Sequence, residues 1–227
     1  MKNNILINKA KNLRKETFEA FVKKGEAHLG GSFSMIEVLI FLFEKILKKK
    51  GYNPKLTTHL EIDEKNGIFC TTGSLGHGFP ISVGMALARK KMNKKGNIFV
   101  MVSDGECQEG TTWEASLIAS KHKLDNFFLI IDYNKIQALT TLKEGLPLSS
   151  LRKKFEAFNF NTIEIKDGHN FKSIMKGFKR KKIKNKPTVL IVHTIKGKGI
   201  KKFENDPVWH ARKIEGKDIE IGFKSLR

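Results

Sequence analysis

The 227-residue chain predicts an α/β fold, a three-layer sandwich with a mostly parallel sheet between two layers of helices. Short β-prone apolar runs recur at 98–102 (IFVMV), 127–132 (FFLIID), 161–165 (NTIEI) and 188–193 (TVLIVH). Helix-like stretches fall between them, and no internal repeat, low-complexity tract or Pro/Ser-rich linker interrupts the alternation. Such alternation sets successive strands in one direction, with the connecting helices crossing over both faces. A chain of this length builds one substantial core, so residues 1–227 are expected to form a single domain, with its core between about 10 and 210.

Each element has a local reason. Leu13, Thr17, Ala20 and Phe21 share one helical face of the first segment. SMIEVLIFLFEKIL opens with Ser34 and Glu37 in capping-box spacing and predicts a second helix. After GIFCTTGSLGHGF, Pro80 suits the first turn of a third helix, PISVGMALARKKM. IFVMV reads as a buried strand, and Thr111 and Glu114 repeat the capping-box spacing to open WEASLIASKHK. The remaining strands follow in the same style, separated by helix-like stretches at 149–158 and 170–181.

The formal net charge is +20, with dense clusters at 48–55 (KKKGYNPK) and 179–186 (KRKKIKNK). The basic residues are mostly Lys, and the clusters lack interleaved aromatics that could stack on bases. They read as a solvated basic surface, with attraction of anionic substrates or an acidic partner as a lesser reading; nucleic acid is not expected. The N-terminus has no apolar signal-peptide core, and VLIFLF at 38–43 falls far short of the roughly 20 residues that span a bilayer. A soluble, cytoplasmic protein without membrane association is expected. Cys70 and Cys107 have no metal-like spacing and read as ordinary reduced thiols.

The chemistry concentrates between Asp104 and Asn134. In a parallel sheet, ligands sit beyond the carboxyl ends of the strands. Asp104 lies just past IFVMVS and Asn134 just past FFLIIDY, so if these strands are neighbours both side chains reach one crevice. A carboxylate and an amide oxygen are hard donors suited to magnesium, and the carbonyl of Ile136 is the natural third. Gly105 allows the backbone to pass close to phosphate oxygens. Asp-Gly and Tyr-Asn are also common turn dipeptides after strands, so residue types alone leave a metal-diphosphate site and plain loops both open.

The stretch SDGECQEGTTWEASLIASKHKLDNFFLIIDYNKIQ resembles the thiamine-diphosphate motif, usually written GDG with a following Asn, and its interior resembles transketolases in particular. HLGGSFSMIEVL, TTGSLGHGFPISVGMALA, DGHNF and TIKGKG with FENDPVWH carry the same resemblance. It is closest to the N-terminal subunit of a split transketolase, a chain holding only the diphosphate-binding domain of the thiamine-diphosphate-binding fold.

That resemblance implies a set of roles. Asp104, Asn134 and the Ile136 carbonyl would hold magnesium, or calcium or manganese in its place, against the cofactor diphosphate. Gly105 and Glu106 would lie along the diphosphate, and Gly73 and Leu75 would meet the cofactor rings. His28, His59 and His210 match histidines around the substrate channel, and His77 stands where the family usually has Gln. Lys196 would approach a phosphate, whereas His122 reads as structural or surface. The activating Glu and stacking aromatics belong to the family's pyrimidine-binding domain, so a separate C-terminal subunit is implied, two of each chain forming a heterotetramer on a sugar substrate. Three departures accompany the match: Ser103 replaces Gly in the motif, Leu29 stands where Pro is frequent, and no Ser-x-Gly-His element is evident between Leu47 and Cys70. The rival readings are another thiamine-diphosphate reaction, either 2-oxo acid decarboxylation or a 1-deoxyxylulose-5-phosphate-type condensation, and a non-catalytic basic interaction protein.

Overall fold

The computed structural model describes residues 2–25, 28–48 and 61–227. Among the described residues the centre is a four-stranded parallel sheet in the order β1-β2-β4-β3, formed by β1 (Ile98–Ser103), β2 (Phe127–Tyr133), β3 (Asn161–Ile165) and β4 (Thr188–His193). The alternation in the sequence thus produces the α/β sandwich it predicts.

Side chains alternating along the central strands build two cores. Phe128, Ile130, Leu190 and Val192 pack with α1 (Lys2–Lys24), α2 (Leu29–Ser34), α3 (Ile36–Phe41), α7 (Phe171–Phe178) and α8 (Lys217–Ser225). Phe127, Leu129, Ile131, Val189 and Ile191 point the other way, against α4 (Gly78–Lys91), α5 (Gly110–Lys121) and α6 (Leu151–Ala157). Strands covered on both faces read as continuous apolar runs, which is why β2 and β4 are conspicuous in the sequence. β1 differs from its predicted buried state: it lies at the sheet edge, and most of its residues are half-buried.

Crossovers through α5 and α6 run over one face, the α7 crossover runs over the other, and the segment after β4 stays on that second face, so the connections leaving the neighbours β2 and β4 go to opposite sides of the sheet. The carboxyl ends of these strands are therefore the topological switch point, where a parallel sheet opens a crevice.

Two predicted capping boxes do not form. Ser34 ends α2 instead of opening a helix; its Oγ donates to Asp132 and to the Gly31 carbonyl, and Met35 separates α2 from α3. α5 opens at Gly110 with Glu109 before it, while the Thr111 hydroxyl donates to the Gly76 carbonyl at 2.7 Å. In both cases a distant acceptor wins over the local amide. Pro80 does lie in the first turn of α4. Helix α8 lies beyond the elements read from the sequence; the edge of the Phe223 ring meets Phe18 at 5.2 Å. No helix among the described residues is long and apolar enough to cross a membrane.

Candidate functional site

Asp104 and Asn134 converge as neighbouring parallel strands require. Ser103 and Asp132 are partners in the β1–β2 ladder, and the Asp104 amide extends it by donating to the Asp132 carbonyl at 3.1 Å. Beyond that point both chains turn over the sheet end. One Asp104 carboxylate oxygen accepts from the Lys135 amide, and the other accepts from Gly105 at 2.8 Å. Asn134 Oδ1 accepts from the Ile136 amide at 3.0 Å. Lys135 holds a left-handed backbone, φ 68°, which folds the Asn134–Ile136 loop back over Asp104.

The electrostatics of this corner are unbalanced. Asp104 is 1% exposed, and burial pushes its carboxyl up to about 7. The Lys135 amide opposes the rise and the charge of Asp132 adds to it. Asp132, also buried, is raised by desolvation despite accepting from Ser34 Oγ, Thr194 Oγ1 and Asn134 Nδ2. The last of these bonds turns the amide nitrogen of Asn134 toward Asp132 and leaves its oxygen to accept from Ile136. Nearby, Glu106 is raised mainly by burial and accepts from the Gly76 amide at 3.3 Å.

The TTGSLG loop is pinned beside this corner. Gly76 has φ 77°, and a Cβ there would fall 2.5 Å from Thr111 Oγ1, so the contact requires glycine. Gly73 and Leu75 are exposed on the same loop, and His77 is exposed with Nδ1 3.0 Å from the Leu75 carbonyl. At Gly105 a Cβ would meet nothing closer than Ser103 Oγ at 3.7 Å, so its backbone is open to an incoming group.

The Asn134–Ile136 loop also lines a cavity of about 700 Å³, together with Leu142, His193 and Ile195 among others. Lys196 enters the region from the loop after β4. It is 2% exposed, and its Nζ donates to the carbonyls of Ile136 (3.0 Å) and Gln137 (2.9 Å) and lies 2.8 Å from His210 Nδ1. Burial lowers this ammonium to about 8. His210 is lowered to about 4, by burial first and then by the charges of Lys196 and His28. The His28 and His210 rings meet edge to face at 5.6 Å. An ammonium against Nδ1 requires that nitrogen to be the acceptor, so His210 presents Nε2–H.

Of the residues singled out in the sequence, the structure thus brings together Asp104, Asn134 and Ile136, sets Gly105, Glu106, Gly73, Leu75 and His77 on adjoining loops, and pairs His28 with His210. His59 lies outside the described residues, as does most of the stretch lacking a Ser-x-Gly-His element. Leu29 is buried in α2, and His122 is exposed at the end of α5. The sequence reading missed Asp132, whose signal was a lone carboxylate in the apolar run FFLIIDY. It also missed Arg14, Glu37 and His169, which form a buried polar network of their own.

The donors fit a hard divalent cation. Asp104 is a buried carboxylate raised mainly by desolvation, and an amide and a carbonyl oxygen lie on the loop folded over it. Among the described residues no group of three or more His, Cys, Asp and Glu side chains has a metal-binding arrangement. One carboxylate supported by neutral oxygens instead suits a cation that shares its charge with a bound diphosphate.

The family model for the thiamine-diphosphate-binding domain of transketolase matches residues 50–225. The chain belongs to the transketolase family. It is 37% identical over 193 residues to an apulose-4-phosphate transketolase subunit of Actinobacillus succinogenes, covering 80% of this chain and 70% of that protein. A 6-deoxy-6-sulfo-D-fructose transketolase subunit of Clostridium sp. is 33% identical over 245 residues, covering 89% of each chain. The transketolase of Campylobacter jejuni superposes with a TM-score of 0.86 at 25% identity over 100% of this chain and 43% of that one. That of Leishmania mexicana, at 21% identity, shares the fold with a TM-score of 0.84 over 97% of this chain and 41% of its own. The chain therefore spans less than half of these solved transketolases but most of the relatives named as subunits. It is a transketolase-type chain of the thiamine-diphosphate-dependent transferases, carrying the domain that binds that cofactor.

Proposed function

We propose that this chain is the diphosphate-binding subunit of a two-chain transketolase that moves a two-carbon ketol unit from a ketose to an aldehyde acceptor in the cytoplasm. The observation that carries the reading is the convergence of Asp104 and the Asn134–Ile136 loop at the ends of adjacent parallel strands.

In this reading Asp104 Oδ, Asn134 Oδ1 and the Ile136 carbonyl hold magnesium, or calcium or manganese in its place. Ile136 already accepts from Lys196, so the cation would take its second lone pair. The open backbone of Gly105 and the Glu106 turn lie along the diphosphate, with Lys196 as a neighbouring positive charge. Gly73 and Leu75 face the cofactor rings. Thiamine diphosphate, when bound, supplies the electron sink for cleavage of the carbon–carbon bond. The Nε2–H of His210, with His28 beside it, donates to sugar oxygens, and neutral imidazoles exchange protons with hydroxyls near neutral pH. His77 and His59 complete the histidines assigned to the sugar.

A second chain with the pyrimidine-binding domain is needed for turnover, in a heterotetramer of two copies of each. Relatives named as subunits that align over most of their own length support this division. Their names specify a sugar phosphate and a sulfosugar, both anionic. A chain with a formal net charge of +20 suits a phosphorylated or nucleotide-linked ketose in the same way. Mixing the chain with its C-terminal counterpart, magnesium and thiamine diphosphate is expected to yield ketol transfer that neither chain shows alone. Full activity of this chain by itself would overturn the two-chain assignment.

A further inference from the structure

The DGHN turn, residues 167–170, lies outside the cofactor corner yet connects to it. The Gly168 amide donates to the His193 carbonyl at 2.8 Å, and a Cβ on Gly168 would fall 2.6 Å from Val192 Cγ1 and 2.7 Å from Thr194 Cγ2. Only glycine lets the turn press this closely on the end of β4. From there the His169 ring enters between α3 and the loop after β4. Its Nδ1 is 3.1 Å from Glu37 Oε2, and its Nε2 is 2.9 Å from the Ile195 amide nitrogen. A backbone amide can only donate, so Nε2 carries the lone pair and Nδ1 the proton, which it gives to Glu37. Glu37 is held in turn by Arg14 Nη2, at 2.9 and 3.1 Å from its two oxygens, and Arg14 also donates to the Phe33 carbonyl at 3.2 Å. The ring is therefore fixed in one tautomer and one orientation.

Its far end tethers the residue immediately before Lys196. Thr194 is tied through its hydroxyl to Asp132 and Ile195 through its amide to His169. The chain then turns, the Gly197 amide donating to the Gly30 carbonyl at 3.0 Å, so that Lys196 reaches Ile136, Gln137 and His210.

We propose that His169 is a positioning residue for cofactor loading: by accepting the Ile195 N–H, it holds Lys196 at the metal and diphosphate end of the site. This rests on the cofactor site proposed for Asp104 and the Asn134–Ile136 loop. Two substitutions separate this role from simple filling of space. His169→Asn keeps a donor near the Nδ1 position and removes the acceptor, whereas His169→Gln places an amide oxygen near the Nε2 position and restores it.

The experiment uses the purified full chain. Calorimetry gives the dissociation constant for thiamine diphosphate with magnesium, hydrogen exchange follows the Ile195–Lys196 amides without cofactor, and melting temperature serves as the control for folding. His169→Asn is expected to weaken cofactor binding on the order of 10-fold and to speed exchange at Ile195, while His169→Gln stays close to the unaltered chain. Equal loss in both variants, or binding and exchange unchanged in His169→Asn, overturns the proposal. If the unaltered chain fails to bind the cofactor, the reading of the site falls. Exchange at Ile195 then decides the tether separately: slow exchange retained in His169→Asn rejects it.

Discussion

Two buried carboxylates at the same end of the sheet have opposite fates. Asp104 is 1% exposed and Glu37 is 6% exposed, so burial opposes ionisation of both. Asp104 is raised to about 7, by burial first and then by the charge of Asp132, which together outweigh the Lys135 and Gly105 amides and the charge of Lys196. Glu37 is lowered, because the His169 hydrogen bond and the Arg14 guanidinium outweigh desolvation. Glu37 carries enough counter-charge within the chain to offset its burial, whereas at Asp104 the Lys196 charge and two amides do not. That imbalance marks Asp104, and not Glu37, as the carboxylate of the proposed metal site, where burial alone would not separate them.

Glu37→Ala gives the largest contrast. Removing one member of a buried pair strands the Arg14 charge, and a loss of about 3–5 kcal/mol in unfolding free energy is expected by denaturant titration. A loss below about 1 kcal/mol would place Glu37 outside the scaffold. Ser34→Ala follows. It removes a donor from the buried Asp132 carboxylate, and about 1–3 kcal/mol is expected in the same measurement. Because Asp132 also orients the Asn134 amide, this variant should weaken magnesium-dependent cofactor binding, whereas a purely structural serine would leave it unchanged.

The smallest effect is in pH. Glu37 lies below its ordinary value of 4.5 in the folded chain, so its contribution to stability is complete above that value and is lost as pH falls through the lower folded value. The stability difference between the unaltered chain and Glu37→Gln should therefore be constant from neutrality to about pH 5 and shrink below pH 4.5, as read from urea midpoints. A difference that grows on acidification would reverse the sign assigned to Glu37.

The same two regions show what could be read in advance. Asp104 and Asn134 were legible because each follows an apolar run, and strand adjacency converts that local position into proximity. The strands were legible because β2 and β4 are covered on both faces. Arg14, Glu37 and His169 were not, since their bonds join residues 23 and 132 positions apart and nothing local marks the pairing. Ser34 and Thr111 were misread for the same reason: their hydroxyls have the spacing of helix caps, but Asp132 and the Gly76 carbonyl claim them across the fold. Local rules described the elements, while the polar connections between them required the topology.

The central claim is that Asp104, raised by burial, is a ligand of a magnesium ion that holds the cofactor diphosphate. Calorimetric titration of thiamine diphosphate into the chain, with and without magnesium, and into Asp104→Asn under the same conditions tests this directly. The account predicts magnesium-dependent binding in the unaltered chain and a loss of more than about 100-fold in Asp104→Asn, whose cofactor-free melting temperature stays equal or rises because a buried charge has been removed. Retention of magnesium-dependent binding by a folded Asp104→Asn chain would contradict it.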